Sequence, residues 1–382
     1  MRIAMLCDMY KPHQSGVTNH IDLNKGSMEA AGHEVFVLTF GDLDHRDEER
    51  NVLRSPGVPW GRTGYRFGLG YSRAARQVLR TADVAHVHHP FMSGRFALRE
   101  CVPRSIPIVF TNHTRYDLYS DAYAAFVPKA IRRAYVLGYL RRFCSRIDLT
   151  IAPSPGIAAW LRESGVTGRV EVVPNSVDTR PFCEADRAAA RAGLGIGDDE
   201  TVVCYHGRLG PEKDITTLLG CFGAASKRVD GLTLLLVGDG PERTRLEAYA
   251  RGTGLAGKVR FTGAIPYPKM PGVLAAADFA ATASVTEVHP LTVIEAMATG
   301  LPVVGVVSPG VSDTVEDGTT GLLVAPGDPV ALAGAIERLA SDAGLRAAMG
   351  GRAREAAAAY DVARTSAVVL ERYAELVRAK RR

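Results

Sequence analysis

The 382-residue chain has no C-x-x-C pair: its six cysteines, Cys7, Cys101, Cys144, Cys183, Cys204 and Cys221, are scattered. This argues against a cysteine-based zinc site and against a disulfide framework, and leaves buried free thiols as the expectation. No stretch approaches the roughly 18 uninterrupted apolar residues of a membrane span. The N-terminus begins directly on the apolar run Ile3-Ala4-Met5-Leu6 rather than on a secretory leader, so a cytoplasmic location is expected. A large excess of either charge is lacking as well: 46 Lys/Arg stand against 41 Asp/Glu. Residues 1–178 carry 23 Lys/Arg against 17 Asp/Glu, and the remainder 23 against 24. That surplus suits an acidic partner for the first half but is too small to indicate nucleic acid. What is plentiful is apolar surface: 46% hydrophobic residues over this length can bury a large core, and the length favours two α/β domains over one.

The stretch Ser284–Val304 carries most of the functional argument. Pro290 fits a first helical turn, Leu291, Ile294, Met297 and Ala298 recur at helical spacing, and Gly300 with Pro302 ends the helix before the strand at Val303. Glu287 then lies in the loop before the helix and Glu295 inside it. Backbone N–H groups from His289 to Thr292 make an anion site at a helix N-terminus, beside carboxylates able to bind sugar hydroxyls. Thr292 and Glu295 also fit a capping box, in which Glu295 serves only the backbone.

Further strand ends carry polar residues. The strand Thr201–His206 leads into Gly207-Arg208-Leu209-Gly210-Pro211-Glu212-Lys213-Asp214, where an Arg fork and a Lys point charge suit a diphosphate. After Leu232–Val237 comes Gly238-Asp239-Gly240-Pro241-Glu242, which lacks the third glycine of a dinucleotide fingerprint and counts against a nicotinamide oxidoreductase. In the first half, a strand over residues 2–8, a turn with Gly16-Val17, a helix ending near Gly32 and a strand from Val35 to Phe40 form the first unit of a doubly wound sheet. Short strands end in His88-His89-Pro90 and in His113-Thr114. His86, His88, His89 and His113 invite a metal reading, but no Cys or carboxylate completes a ligand set, so no metal is expected there. Asp42-Leu43-Asp44, in the polar stretch 41–56, is read as solvated surface.

Two stretches mix arginines with apolar residues: Arg62–Arg80, and Lys129–Arg146 with Arg132, Arg133, Arg141 and Arg142. Each fits either a core-facing helix with a charged outer face or a basic amphipathic helix on an anionic membrane.

The Glu287 to Glu295 spacing followed by Ala-Met-Ala-x-Gly-x-Pro-Val-Val, the Gly-Arg-Leu-x-x-x-Lys run and the Gly-Asp-Gly-Pro turn resemble retaining glycosyltransferases of family 4. Thr111-Asn112-His113-Thr114 resembles the members that glycosylate diacylglycerol or phosphatidylinositol, and Pro174-Asn175-Ser176-Val177-Asp178 the family's interdomain linker, with Ser176 in place of glycine. The resemblance covers nearly the whole chain and implies the α/β GT-B fold, two doubly wound Rossmann-like domains facing across a cleft. Residues 1–176 would bind the acceptor and 177–361 the nucleotide sugar, with the terminal helix, 362–382, packing back on the first domain.

The resemblance further implies catalytic roles for His113, Arg208, Lys213 and Glu287, with His113 on the donor sugar and Glu295 on the ribose. Gly16, Val17, Gly263, Ile265, His289, Pro290, Leu291 and Thr292 would also contact the donor. The family's Gly-Phe-Gly is replaced by Val288-His289-Pro290, where donor preference is expected to be set. The implied reaction is retaining transfer of a hexose from an NDP-sugar, UDP-glucose by default, with no metal or cofactor required. The expected acceptor is a membrane lipid such as diacylglycerol, with attachment to the inner face of the membrane. A soluble small molecule or polysaccharide is the same-class alternative, and a sugar-nucleotide epimerase of the same fold the different-class one.

Overall fold

The computed structural model describes residues 1–13, 15–41, 43–59, 66–117 and 128–381. The chain divides into two compact units, Met1–Ser176 with Val362–Arg382, and Val177–Asp361. The Asp-x-Asp call at Asp42 and the start of the first basic stretch, Arg62 to Tyr65, lie outside the described residues.

In the first unit the strands are β1 (Arg2–Leu6), β2 (Glu34–Gly41), β3 (Val52–Pro56), a small antiparallel pair β4 (Val58–Pro59) and β5 (Arg66–Phe67), then β6 (Val84–Val87), β7 (Ile108–Thr111), β8 (Leu149–Ala152) and β9 (Val170–Val172). Among the described residues the main sheet is parallel, in the order β3-β2-β1-β6-β7-β8-β9. β1 and β6 to β8 are buried along their whole lengths apart from Arg2, as expected of parallel strands covered on both faces. The order reverses beside β1, which makes the carboxyl ends of β1 and β6 the topological switch point.

The helix Gly16–Ala30 starts on a Ser15–Thr18 capping box and packs against the terminal helix Val362–Arg381. Ser27 and Ser366 hydroxyls meet at 2.7 Å, Arg372 reaches Glu171 at 2.6 Å and Lys380 reaches Asp148 at 2.8 Å. Ser176, which stands where the family has glycine, accepts a 2.8 Å hydrogen bond from Asn24 Nδ2 and ties the end of the unit to that first helix.

The second unit repeats the plan with β10 (Thr201–His206), β11 (Leu232–Val237), β12 (Val259–Gly263), β13 (Phe279–Thr282), β14 (Val303–Val306) and β15 (Gly321–Val324). Its parallel order is β12-β11-β10-β13-β14-β15, with the switch point between β10 and β13. Two layers of helices bury Leu218, Leu219, Phe222 and Ile336 on one face and Leu274, Ile294 and Met297 on the other.

Several expectations need correction. The polar stretch 41–56 contains β3, an edge strand paired in parallel to β2 and half-exposed, so it lacks the continuous apolar run that marks its neighbours. Helix Arg73–Arg80 turns Ala75, Val78 and Leu79 into the core and leaves its arginines outside, which makes it a core-facing helix. Helix Lys129–Cys144 differs: only Leu140, Phe143 and Cys144 are buried, and Ile131 and Tyr135 are 61% and 73% exposed. Cys183 is exposed, while the other five cysteines are buried free thiols as expected.

Candidate functional site

In the second unit, the carboxyl ends of β12, β11, β10 and β13 form one continuous edge, and the loops that follow them are laced together by backbone bonds. Gly207 N–H donates to Val237 O at 2.9 Å, Gly238 N–H to Gly263 O at 3.0 Å, and Leu209 N–H to Asp239 O at 2.9 Å. Gly238, at φ +135°, has no room for a side chain, because a Cβ would sit 1.9 Å from Gly207 O. A Cβ on Gly240 would sit 2.4 Å from Leu209 O. The Gly-Asp-Gly-Pro turn is thus glycine-rich because two loops touch through their backbones.

This edge carries three pairs of opposite or complementary groups. Lys213 Nζ lies 2.6 Å from Glu287 Oε1, with side chains 22% and 15% exposed. Arg208 Nη1 lies 3.5 Å from Glu212 Oε1. His206 Nε2 lies 2.9 Å from Glu295 Oε2, with both side chains buried. Ser284 and Thr286 hydroxyls both donate to Glu212 O, at 3.4 and 3.2 Å, and so fix the loop after β13 to the loop after β10. Beneath them Tyr205 OH donates to Arg208 O at 3.0 Å. Burial, reinforced by the charges of Glu287 and Glu212, pushes the Tyr205 phenol far above its ordinary range, so it remains a donor.

The helix Leu291–Thr299 begins on Pro290 and ends on Gly300 in the left-handed region, at φ +86°. Val293 makes the first intrahelical bond, to Pro290 O at 3.1 Å, so the amides of Leu291 and Thr292 precede the ladder. Thr292 lies beside Gly207: its Cγ2 would be 3.7 Å from a Cβ there. The loop before the helix is backed by Gly310, whose N–H donates to Glu287 O at 3.2 Å and whose missing side chain leaves room for it.

The structure decides one question that the sequence leaves open. No side chain caps this helix, and the Glu295 carboxylate reaches His206 instead of the Thr292 turn, so the capping-box role does not apply. In sequence His206 reads only as the last residue of an apolar strand. Its position at the carboxyl end, just before Gly207-Arg208, is the signal that could have found it. His289 is buried and its ring packs edge-on against Tyr360 at 5.2 Å. Gly263, at φ +75°, ends β12, and Ile265 follows it, half-buried against the core.

In the first unit the corresponding edge is built of imidazoles. His88 follows β6, His113 follows β7, and His20 comes from the helix after β1, so three neighbouring strand ends contribute. His88 Nδ1 and His113 Nε2 are 3.0 Å apart, and the His20 ring meets the His113 ring edge-on at 4.8 Å. One nitrogen each from His20, His88 and His113 lies within 4.8 Å of the others, so these three could hold a metal ion. Of the four histidines considered from sequence, His88 and His113 belong to this cluster and His86 and His89 do not, while His20 joins from the first helix. His86 bonds Thr111 Oγ1 at 2.7 Å and Tyr373 OH at 2.5 Å, and His89 accepts from the Asp8 amide at 3.1 Å.

Burial holds all five imidazoles in the neutral form: His20 falls to about 4, His86 and His89 to about 3, and His88 and His113 well below their usual range. Asp8, also missed from sequence, is buried at the end of β1 and accepts from Ser93 N–H at 2.7 Å; burial raises its carboxyl to about 6. Gly16 and Val17 form the first turn of helix Gly16–Ala30, one turn ahead of His20.

The description "Glycosyl transferases group 1" matches residues 186–356, and "Glycosyltransferase Family 4" matches residues 14–180. Alpha-monoglucosyldiacylglycerol synthase of Streptococcus pneumoniae is 30% identical over 85% of this chain and 75% of its own length. The chain is a family 4 glycosyltransferase. D-inositol 3-phosphate glycosyltransferase of Nocardia farcinica is 32% identical to this glycosyltransferase, over 78% of the chain and 68% of the relative. Among solved structures, sucrose-phosphate synthase from Thermosynechococcus elongatus superposes with a TM-score of 0.81 over 99% of both chains at 24% identity. Anabaena HepE in complex with UDP-glucose gives 0.78 at 20% identity, over 98% of this chain and 99% of that one. These likenesses show that the glycosyltransferase has the GT-B fold.

Proposed function

We propose that this glycosyltransferase moves a hexose from an NDP-sugar, UDP-glucose by default, to the hydroxyl of a membrane lipid such as diacylglycerol, with retention at the anomeric carbon. The observation that carries the proposal is the C-terminal strand edge, where Arg208, Lys213 and the unladdered amides of Leu291 and Thr292 surround one switch point. A leaving diphosphate gains charge as the bond from the anomeric carbon to its oxygen breaks, and preorganised cations and amides stabilise that charge most where it develops. The acceptor oxygen bonds the same face of the anomeric carbon, and its proton passes to the departing diphosphate.

Glu287 holds Lys213 in place and faces the sugar, and Glu295, oriented by His206, binds the ribose. Gly263 and Ile265 border the base, and His113, with Gly16 and Val17, is assigned to the donor on the family resemblance. Since Lys213, Arg208 and the helix end supply the positive field, the transfer needs no metal or cofactor.

The diacylglycerol acceptor is supported by the name of the Streptococcus pneumoniae relative and by the exposed Ile131 and Tyr135 among the basic residues of helix Lys129–Cys144. No helix among the described residues is long and apolar enough to cross a membrane; the attachment proposed is peripheral, on the cytoplasmic face. A soluble inositol phosphate is the second reading, favoured by the Nocardia farcinica relative.

The deciding experiment supplies UDP-glucose with diacylglycerol in mixed micelles, with inositol 3-phosphate, or with no acceptor, and identifies the product and its anomer by NMR. An α-glucosyl lipid is expected. Transfer only to the inositol phosphate selects the second reading, and an epimerised nucleotide sugar without acceptor replaces transfer by epimerisation.

A further inference from the structure

We propose that the N-terminal unit carries a transition-metal site made of three imidazoles, His20, His88 and His113, suited to a dication of the zinc class. The three residues are far apart in sequence and meet only because β1, β6 and β7 are neighbours at the switch point. Their ligand nitrogens already lie within 4.8 Å of one another, and His88 Nδ1 and His113 Nε2 within 3.0 Å. Tetrahedral coordination at about 2.0–2.1 Å per bond places ligand nitrogens roughly 3.3 Å apart, so closure needs movements of about an ångström or so.

Two further observations point the same way. His88 is fully buried, and among the described residues its Nε2 has no hydrogen-bond partner, a cost removed where this nitrogen, rather than Nδ1, meets the ion. The cluster is also held by packing: the ring of His86, fixed by Tyr373 and Thr111, lies 4.2 Å from that of His88. An all-nitrogen set selects zinc, cobalt, nickel or copper over magnesium or calcium, which take oxygen ligands. With three protein ligands, a fourth position is left for water.

If His113 contacts the donor sugar, as proposed above, a bound dication withdraws its ring from that contact and inhibits transfer. This consequence rests on the proposed function, whereas the metal site does not.

The test uses the tag-free full-length protein, stripped with chelator and titrated with Co²⁺. One equivalent per chain with the visible absorption of four-coordinate cobalt, displaced by Zn²⁺, is expected. His20→Gln and His88→Gln should each weaken binding by more than the roughly 10- to 100-fold that loss of an outer-shell partner costs, while His45→Gln leaves it unchanged. Melting in chelator checks folding, and His20→Gln keeps the test open if His88→Gln fails to fold. Absence of the cobalt spectrum at saturation, or binding indifferent to both variants, overturns the site. Binding that leaves transfer uninhibited keeps the site and removes His113 from the sugar contact.

Discussion

The two units share one architecture, a parallel sheet whose strand order reverses beside its first strand, yet their strand ends carry opposite chemistry. In the C-terminal unit the ends of β10 and β13 hold charges in pairs, Lys213 with Glu287 and Arg208 with Glu212. In the N-terminal unit the ends of β6 and β7, joined by the helix after β1, hold neutral imidazoles. The fold determines where groups converge, and residue identity determines what field they make there. Cations paired with carboxylates can exchange a carboxylate for a phosphate oxygen. Buried imidazoles have no such charge at neutral pH.

The sharpest way to break this contrast is to remove one group from each side. Arg208→Ala and Lys213→Ala should each slow turnover by about two orders of magnitude or more, since losing a preorganised charge-stabilising group costs roughly 3–4 kcal/mol of activation free energy. His20→Gln, assayed in chelator, should leave turnover near that of the unaltered protein. Steady-state transfer rates of the three variants decide it. Near-normal rates for both cation variants would remove the diphosphate role from the C-terminal edge.

The next largest effect separates binding from stability at Glu295. Its partner His206 is buried, so Glu295→Ala leaves a polar group unsatisfied at a cost of about 1–3 kcal/mol. A lowered melting temperature is expected together with weaker donor binding, measured by calorimetry. Loss of stability at unchanged donor affinity would make the pair a packing device alone.

Much of this site was readable because it depends on local pattern. Apolar runs mark β2, β10 and β11 nearly to the residue, and Gly300 marks the end of its helix at a left-handed position. Spacing within one segment located Glu287 and Glu295 about the helix start. Partners distant in sequence were not readable. His20 looks like any polar residue on an amphipathic helix until β6 and β7 are laid beside β1, and nothing in the run Thr201–His206 announces that its last residue will meet Glu295. Edge strand β3 was hidden because a half-exposed strand needs no apolar run.

Acid should expose the contrast in a different way. His20, His86 and His89 bind protons more readily unfolded than folded, so their contribution is present above pH about 6.5 and lost as pH falls toward 4 and then 3; His88 and His113, held well below their usual range by burial, act in the same sense. Asp8 acts in the opposite sense: with its carboxyl raised to about 6, its contribution is fully present below its unfolded value and lost as pH rises through 6. Five imidazoles outweigh one carboxyl, so the chelated protein should lose thermal stability steadily between pH 6.5 and 4. Fluorescence melting over that range checks it, and a flat profile would show that the imidazole cluster protonates without cost.

The smallest expected effect lies on helix Lys129–Cys144, where the N-terminal unit departs from the rule that apolar side chains face inward. Ile131 and Tyr135 are one turn apart, both largely exposed, on a helix with basic residues at both ends. Side chains at that spacing share a face, so they can enter a lipid interface together while the basic residues meet anionic headgroups. Each contributes only part of the roughly 1.5–3 kcal/mol of a fully buried apolar side chain, because interfacial burial is incomplete. Replacing both by serine should therefore weaken flotation with anionic liposomes several-fold without altering melting temperature. The matched change on helix Arg73–Arg80, Val78→Ser with Leu79→Ser, should instead lower stability, because those side chains are already in the core. Unchanged flotation of the Ile131/Tyr135 variant would place the lipid contact elsewhere on the unit.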